Sequence, residues 1–432
     1  MPRQSPASAL SAALLASAAW SRGVTGFQPL VRGGRGGGRT ALFSEVERVK
    51  SAGGGTDAAF PVGSLELFDP ELEGKLQGTG SLQERISSGP DYVPRSSSYL
   101  ADPAPASGAE VPAMPPGATL LDAQHWLEHL DDGPGVLPLN FAKPSKPVQA
   151  TVLAAQRIIS ADAPGDIQHI VLRLPEGMHY VEGQSLSVIP PGNDPRSGKP
   201  NKPRLYSIAS TRYGDALDGG TVSLCVRRAE YYDPVTGQVD PAKKGVCSNY
   251  LCDAPPGTSV SVAGPVGKTM LLPEDPARDI IMVATGTGIA PFRAFLHRLF
   301  MEETVARHRF TGTAWLVLGV PVAGGLLYRE EIEAMQRNAA QPGQLRVDYA
   351  ISREMNNPFD GSKMYVQHVM QQNAEELFQR IDAGAVVYFC GLKGMMPPIL
   401  DTLEQVAVSK GIDWSAKMKE LKANGQWHVE VY

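Results

Sequence analysis

The sequence predicts a β domain followed by an α/β domain: an antiparallel β-barrel and then a doubly wound parallel sheet. The first observation is a series of short apolar runs after residue 140, separated by Gly and Pro turns. The second is a regular alternation of apolar strands and helical segments from residue 275 onward. Residues before 140 show neither pattern. We therefore expect four parts, at residues 1–44, 45–139, 140–274 and 275–432.

Residues 1–44 have the composition of a targeting segment. They contain no acidic residue, and an alanine-rich apolar stretch at residues 9–20 precedes most of the arginines. The arginines of this segment are Arg3, Arg22, Arg32, Arg35 and Arg39. We interpret the segment as a two-part address, a signal-like stretch followed by a transit peptide. The alternative is one long mitochondrial or plastid presequence.

Residues 45–139 resemble a low-complexity spacer, with glycine, serine and proline clusters. One helical pattern lies within it, at residues 120–130. Its apolar positions are Leu121, Trp126, Leu127 and Leu130. Such a helix either docks on the folded body or binds a partner, but a weak helix within a spacer is the favoured interpretation.

The elements follow in order along the folded part. The predicted barrel strands are 148–153, 167–174, 185–189, 205–209 and 221–226, with the barrel ending near Gly267. The predicted parallel strands are 280–284, 315–318, 345–351 and 386–390. The predicted helices between and after them are 290–300, 328–337, 365–379 and 397–409.

Composition excludes some functions. The formal net charge of −5 argues against nucleic acid as the main partner. No apolar run has the length of a membrane span. The four cysteines lack zinc-site spacing, so we expect no metal centre and a reducing compartment. A disulfide between Cys247 and Cys252 is the less favoured interpretation.

Arg204, Tyr206 and Ser207 form a candidate site for a planar, anionic ligand. The arginine suits a phosphate, the aromatic ring can stack, and the hydroxyl can bond a ring edge. Further along, Gly245 to Asn249 precede an apolar pair and suit a helix start that receives a pyrophosphate. Ser248 or Asn249 would cap that helix; alone, the motif is only a helix cap.

A second candidate site begins at the turn from Thr285 to Pro291, between a predicted strand and a predicted helix. Gly286 and Gly288 permit close backbone approach there, which indicates a dinucleotide site. The third parallel strand is followed by a hydroxyl, a guanidinium, an ammonium and two further polar groups. These residues are Ser352, Arg353, Lys363, Tyr365 and Gln367. They favour the 2′-phosphate of NADP over NAD, although a solvated loop is the alternative.

Two further features are ambiguous from the residues alone. Cys390 ends the last clear strand, where the crevice of such a sheet lies, and we expect it to contact a reacting ring. The basic residues Arg196, Lys199, Lys202 and Arg204 are either a docking patch for an acidic protein or a solvated loop.

Together these stretches resemble plant-type ferredoxin–NADP⁺ reductase from about residue 140 to residue 432. The resemblance implies that FAD is bound by Arg204, Leu205, Tyr206, Ser207, Cys225, Val226, Arg227, Tyr231, Val246, Cys247 and Ser248. It implies that NADP is bound by Thr287, Val320, Pro321, Ser352, Arg353, Lys363, Tyr365, Gln367, Gly391 and Leu392. It assigns catalytic assistance to Ser207, Cys390, Glu430 and Tyr432, with Tyr432 stacked on the flavin until nicotinamide displaces it.

The implied activity is electron transfer from two reduced ferredoxins through FAD to NADP⁺ as hydride, giving NADPH, in a reversible reaction. Ferredoxin would dock on the basic patch, flavodoxin is a possible second partner, and a partner could tether the enzyme to a membrane. The leader resembles those of secondary plastids. Arg227 departs from the family's usual lysine, and the segment from Tyr231 to Gly245 is longer than usual. A reductase for another acceptor and a non-catalytic flavoprotein scaffold remain alternatives.

Overall fold

The computed structural model describes residues 127–128, 137–194, 197–234, 236–302 and 304–432. The predicted targeting segment and nearly all of the predicted spacer lie outside these residues. Within the described part, no helix has both the length and the apolarity to cross a membrane. The predicted fold class is confirmed: a six-stranded antiparallel sheet precedes a five-stranded parallel sheet with helices.

The antiparallel sheet is a barrel. Its strands are β1 (Val148–Arg157), β2 (Ile167–Arg173), β3 (Ser185–Ile189), β4 (Arg204–Ser207), β5 (Thr221–Arg227) and β6 (Ser259–Val266). They pair in the order β4-β3-β6-β1-β2-β5. Ile208, next to β4, forms a bridge with Leu224 of β5, and this pair closes the barrel between its two edges. The apolar residues on the inner face, such as Val152, Ile170 and Val262, are fully buried.

The parallel sheet has the order β11-β10-β7-β8-β9. Its strands are β7 (Ile280–Thr285), β8 (Ala314–Val320), β9 (Leu345–Ile351), β10 (Val386–Gly391) and β11 (Trp427–Val431). The chain therefore runs from β7 to one edge, returns to β10, and ends at the other edge. The reversal lies between β7 and β10, and in such sheets ligands bind outside the carboxyl ends of the strands at this point.

Helices connect and cover the strands. They are α1 (Val246–Asp253), α2 (Ala290–Leu296), α3 (Val305–Arg309), α4 (Arg329–Asn338), α5 (Val366–Gln372), α6 (Ala374–Asp382), α7 (Met396–Ser409) and α8 (Trp414–Ala423). A π-helical turn, His297–Met301, continues α2. The prediction that residues 365–379 are mostly helix is confirmed, but two helices share the range, because the chain breaks at Asn373, whose backbone leaves the helical region at φ −109°, ψ 23°.

Alternate side chains of β7 pack into two separate cores. Ile280 and Met282 belong to a core that contains α2 and also Cys225 of the barrel, whereas Ile281 and Val283 face the helices α5 to α8. A strand buried on both faces reads as a continuous apolar run, which is why β7 was identifiable from the sequence. The first core joins the barrel (the barrel lobe) to the parallel sheet and its helices (the α/β lobe).

Candidate functional site

A cleft of about 1550 Å³ lies between the barrel lobe and the carboxyl ends of the parallel strands. Strands β3 and β4 and the start of α1 form one wall. The turn after β7 and the segments after β8, β9 and β10 form the other. The cleft thus coincides with the reversal point of the sheet, where ligand binding is expected.

Strand β4 supplies three of the side chains predicted for a planar, anionic ligand. Tyr206 is half-buried, and burial together with the neighbouring Cys247 thiol raises the pKa of its phenol, so that the ring stays neutral. The exposed Arg204 guanidinium donates to the carbonyl oxygens of Lys202 (3.0 Å) and Pro203 (3.1 Å). These bonds use one nitrogen of the guanidinium, so its other donors can face a phosphate in the cleft.

Helix α1 begins at this wall without a side-chain cap. Its N-cap is Gly245, and the prediction that Ser248 or Asn249 caps it is wrong. The Ser248 hydroxyl instead accepts from the amide of Ala229 (3.0 Å), and the Asn249 amide donates to two carbonyl oxygens. A Cβ on Gly245 would lie 2.6 Å from the Ala229 Cβ, so the close packing requires glycine. The uncapped helix start leaves backbone donors for an anion.

Four polar side chains meet where the two sheets face each other, two from each sheet: Ser185, Ser207 and Glu430 line the cleft, and Cys390 is buried directly behind its surface. Ser185 of β3 and Ser207 of β4 are paired neighbours in the barrel, and Cys390 of β10 and Glu430 of β11 are paired neighbours in the parallel sheet. Across the interface, Ser185 donates a hydrogen bond of 2.9 Å to the Glu430 carboxylate, and the Ser207 Oγ lies 4.0 Å from the Cys390 Sγ. Strand register in both sheets therefore assembles this cluster.

Burial sets the protonation of the cluster. It raises the pKa of the Cys390 thiol to about 12, with the Glu430 charge acting in the same direction, so Cys390 is a neutral thiol near pH 7. Burial also raises the pKa of Glu430, and the hydrogen bond from Ser185 opposes that rise. A carboxyl group whose pKa is raised and that is held by a hydroxyl suits proton exchange.

The terminal residue Tyr432 lines the same cleft. Its amide donates to Gly391 O (3.0 Å), and its carbonyl accepts from the amide of Lys393 (2.9 Å), so its backbone is attached to the loop after β10. Its phenol hydrogen-bonds the Thr287 hydroxyl at 2.6 Å, yet 58% of the residue is exposed. The ring can therefore move by breaking one side-chain bond while the backbone stays in place.

The glycine-rich turn after β7 has two different glycines. Gly286 adopts a positive φ of 53° with open space around its missing Cβ, and it lines the cleft. A Cβ on Gly288 would lie 2.1 Å from the Cys390 carbonyl oxygen. Gly288 thus brings the turn against β10, and Gly286 leaves room for a ligand. Pro291 occupies the first turn of α2, as predicted.

The segment after β9 carries the predicted phosphate residues. Amides of Ser352 and Arg353 donate to Val320 O (3.0 Å) and Pro321 O (2.9 Å), which places both residues at the cleft. The neighbouring acid, Glu354, is turned away and accepts from the amide of Ala323 (2.9 Å). The Ser352 hydroxyl and the Arg353 guanidinium thus lie at the cleft, whereas the Glu354 carboxylate is bonded elsewhere. This arrangement suits a phosphate.

Comparisons with known proteins agree with this architecture. A family model described as "Oxidoreductase NAD-binding domain" matches residues 282–400. The chain is 54% identical over 297 residues to the chloroplastic embryo isozyme of ferredoxin–NADP reductase from Oryza sativa subsp. japonica, covering 68% of this chain and 78% of that protein. It is 51% identical over 300 residues to the chloroplastic enzyme of Chlamydomonas reinhardtii, covering 69% and 84%. The chain belongs to the ferredoxin–NADP reductase family.

A solved ferredoxin–NADP⁺ reductase, that of Plasmodium falciparum, shares the fold. It superposes with a TM-score of 0.53 at 23% identity, covering 68% of this chain and 99% of that one. Membership of the ferredoxin–NADP reductase family makes this chain an oxidoreductase. The cofactors of this family are a flavin and NADP(H).

Most of the residues predicted for the site line the cleft. From the barrel lobe these are Arg204, Leu205, Tyr206, Ser207, Cys225, Arg227, Val246, Cys247 and Ser248. From the α/β lobe they are Thr287, Val320, Pro321, Ser352, Arg353, Tyr365, Gln367, Leu392, Glu430 and Tyr432. The two groups are far apart in sequence, and only the fold brings them together.

Five predicted residues do not line the cleft. The side chain of Val226 is fully buried in the barrel core, and that of Cys390 is fully buried behind the cleft surface. Gly391 packs against Thr285. Lys363 lies in a hairpin bridge with Asn356, and Tyr231 carries the Lys243 ammonium 4.5 Å from its ring centroid. Arg196 lies outside the described residues.

Sequence reasoning missed Ser185 as a functional residue. It lies at the first position of a predicted strand and has no motif of its own. Its role depends on pairing with Ser207 in one sheet and on a contact with Glu430 from the other, so only the register of both sheets could have revealed it.

Proposed function

We propose that this chain moves electrons between ferredoxin and NADP(H) through FAD held in the cleft. The observation that carries the proposal is the cluster of Ser185, Ser207, Cys390 and Glu430, which lies where the barrel wall of the cleft meets the wall formed by the parallel-strand ends. The cluster places a proton-exchanging carboxyl and two hydroxyls where the two ligands would meet.

The residues present fit FAD better than FMN. The barrel wall extends from Tyr206 and Ser207 to the uncapped start of α1 and on to Arg227, all along one cleft. FMN has neither a pyrophosphate nor an adenosine, and would leave the α1 donors and Arg227 without a ligand. Mass spectrometry of the flavin released by heat distinguishes them, and FMN as the released species would contradict this choice.

When bound, the flavin supplies the one-electron and hydride chemistry, and the chain supplies position and proton exchange. Tyr206 presents a neutral ring for stacking, and Ser207 holds a hydroxyl at the junction. Glu430 holds or releases a proton through its carboxyl oxygens, one of which Ser185 fixes. The buried Cys390 thiol stays uncharged 4.0 Å from the Ser207 hydroxyl, and the Tyr432 ring would give way when nicotinamide enters.

NADP is favoured over NAD because the polar groups after β9 match a phosphate. Ser352 and Arg353 face the cleft while Glu354 is bonded elsewhere, and Tyr365, 44% exposed, presents a ring for adenine. If Tyr432 competes with nicotinamide, a nucleotide without the 2′-phosphate gains too little binding energy to displace it. Selectivity for NADP over NAD then results from the phosphate contacts after β9 together with the competition from Tyr432.

Ferredoxin is proposed to dock beside the exposed β4 edge. Lys199, Lys202 and Arg204 are exposed there, and Leu205, 62% exposed, adds an apolar contact. A basic rim around an apolar centre suits an acidic protein that must approach the cleft. Flavodoxin offers similar charge and is the second candidate acceptor. Membrane association is a further proposal, in which a partner protein would tether the enzyme through the residues before 127.

A plastid location is proposed from the chloroplastic relatives and from the acid-free, arginine-rich residues 1–44. The two-part leader of a secondary plastid is the finer proposal. Fusion of residues 1–44 to a fluorescent protein tests it, with deletion of residues 9–20 as the matched variant. Plastid import that survives this deletion in a host with secondary plastids would contradict a two-part leader.

The deciding experiment measures NADPH-dependent reduction of a plant-type ferredoxin, beside NADPH-dependent reduction of ferricyanide. We expect both activities, and we expect Lys199→Glu with Lys202→Glu to lower ferredoxin reduction at least about 10-fold while ferricyanide reduction is unchanged. Ferricyanide activity without ferredoxin activity would indicate another acceptor. A flavin that NADPH does not reduce would indicate a non-catalytic flavoprotein.

A further inference from the structure

Two helical residues that precede the barrel are embedded in the folded body. Leu127 is 2% exposed and Glu128 is 8% exposed. They belong to the helical pattern that the sequence places within a spacer, and the interpretation as a weak spacer helix is wrong for these two residues. Their contacts reach both lobes.

The Glu128 carboxylate joins the α/β lobe to the barrel lobe. Arg298 donates to both of its oxygens at 3.1 Å, and the amide of Val305 donates to Oε1 at 3.0 Å. From the barrel lobe, the Tyr213 hydroxyl donates to Oε2. The two nitrogens of a guanidinium match the two oxygens of a carboxylate, so the geometry of this site suits a carboxylate.

The barrel lobe also holds the backbone of this segment. Arg212 donates to the carbonyl oxygens of Leu127 (3.2 Å) and Glu128 (3.1 Å) while its guanidinium pairs with Glu182 at 2.8 Å. Arg298 lies 3.6 Å from the same Glu182. Two buried guanidinium groups are therefore balanced by two buried carboxylates, and one of the carboxylates comes from the segment before the barrel.

The Leu127 side chain fills an apolar site of the barrel lobe. It packs with Val181, Tyr213 and Leu217 in a small cluster separate from the main cores. A Cβ on Gly219 would lie 2.4 Å from the Leu127 Cδ1, so the space beside this glycine is occupied by the leucine. The site thus has an apolar part for the leucine and a cationic part for the glutamate.

The charge balance favours an ionised Glu128. Burial alone would raise the pKa of its carboxyl, but Arg298 and Arg212 outweigh burial and hold the pKa below its usual range. If the carboxylate were absent, Arg298 would remain buried with only the more distant Glu182, and burying an incompletely paired charge is costly.

We propose that Leu127 and Glu128 form an interlobe strap: the two lobes together build a binding site for the segment that precedes the barrel. The strap holds the lobes in the alignment that brings Ser207 to Cys390 and Ser185 to Glu430. It follows that leader removal occurs before Leu127, so that the working enzyme retains the strap. The inference does not depend on which protein accepts electrons.

The test compares full-length variants by hydrogen exchange and thermal unfolding. Glu128→Gln removes the charge with little change of shape, and Glu128→Asp keeps the charge on a shorter side chain. The matched control is Asp279→Asn, since Asp279 pairs with Arg380 at 2.6 Å wholly within the α/β lobe. Each protein is purified with its flavin, and amide exchange is followed in the segments around Tyr213 and Val305.

We expect Glu128→Gln to lower the Tm by about 5–10 °C and to speed exchange in both segments, one in each lobe. Glu128→Asp should recover part of the loss, and Asp279→Asn should affect exchange in the α/β lobe only. A Tm within about 2 °C of the parent, or faster exchange in one lobe only, would overturn the strap.

A second measurement covers the case in which Glu128→Gln does not fold. The amino terminus of the enzyme purified from its native source is determined by mass spectrometry. A terminus before Leu127 supports the proposal, whereas an active enzyme that begins after Glu128 contradicts it.

Discussion

Ser185 lines the cleft and is placed to act through Glu430. Its hydroxyl holds one oxygen of Glu430, and it is paired in register with Ser207. Burial raises the pKa of the Glu430 carboxyl, and this hydrogen bond opposes the rise. We therefore regard Ser185 as a positioning residue that sets both the orientation and the proton affinity of Glu430.

Replacing Ser185 by alanine should slow hydride transfer and alter its pH dependence. Without the donor, the pKa of Glu430 rises further, so the limb of the pH–rate profile that depends on this carboxyl should move to higher pH. Loss of one hydrogen bond predicts a rate about 2- to 12-fold lower. Stopped-flow reduction of the flavin by NADPH measures both. Ser187→Ala, two positions along β3, is the control; profiles that coincide for all three proteins would refute the assignment.

Replacing Thr287 by valine should loosen the Tyr432 ring. The valine keeps the shape and removes the 2.6 Å bond to the phenol, while the two backbone bonds of Tyr432 remain. Since a hydrogen bond contributes about 0.5–1.5 kcal/mol, displacement by nicotinamide should become about 2- to 12-fold easier. NADH should then be used better relative to NADPH. An unchanged NADPH/NADH ratio of kcat/KM would show that the bond does not restrain the ring.

At the scale of an element, the turn after β7 requires glycine at two positions for two different reasons. Gly288 allows the turn to pack on the backbone of β10, and Gly286 supplies a left-handed residue that faces the cleft. Gly288 is therefore needed for folding and Gly286 for ligand access, although both residues belong to one predicted motif.

Alanine at these two positions should therefore fail in different ways. Gly288→Ala would force a Cβ to 2.1 Å from a carbonyl oxygen, so we expect a strongly destabilised or insoluble protein. Gly286→Ala costs about 1–2 kcal/mol for its positive φ and should fold. Its Cβ would project into the cleft, so binding of 2′,5′-ADP should weaken. Thermal unfolding and calorimetric titration test this; equal stability of the two variants would contradict it.

The elements also show what local sequence patterns could and could not predict. Strands β7 and β5 were found because their signals lie in adjacent residues: a continuous apolar run in β7, and valine and leucine at every second position in β5. Strands β6 and β11 were missed, because a Gly-Pro pair lies within the first and the second is a half-buried edge strand that contains a charged residue. Glu430 and Tyr432 were still assigned, through family resemblance, whereas Ser185 and the strap required contacts between distant segments.

At the scale of the whole molecule, the two lobes meet through buried charges. Arg293 of α2 donates to Ala209 O of the barrel lobe (2.8 Å) and to Glu331 of α4 (2.8 Å). Glu182 is paired with Arg212, and neighbouring arginines outweigh burial and lower its pKa to about 2. Burial likewise opposes the effect of Arg293 on Glu331, whose pKa is also lowered.

These depressed pKa values predict that acid weakens the fold. A carboxylate with a lowered pKa stabilises the native state fully above its unfolded pKa, near 4.5, and loses that contribution as the pH falls toward its folded pKa, about 2 for Glu182. For Glu182 alone the loss is on the order of 3 kcal/mol. The Tm should therefore be nearly constant from pH 7 to 5 and fall steeply below pH 4.5. A Tm unchanged between pH 5 and pH 3 would contradict the interlobe charge network as a source of stability.

The most direct test of the account is an anaerobic titration of the full-length, flavin-loaded protein with NADPH and then, separately, with NADH, followed by flavin absorbance. The account predicts that NADPH bleaches the flavin stoichiometrically and that NADH does so only weakly. That result requires a flavin in the barrel wall, a phosphate site at Ser352 and Arg353, and a cluster that lets hydride pass between them. A flavin that neither nucleotide reduces, or that both reduce equally, would contradict it.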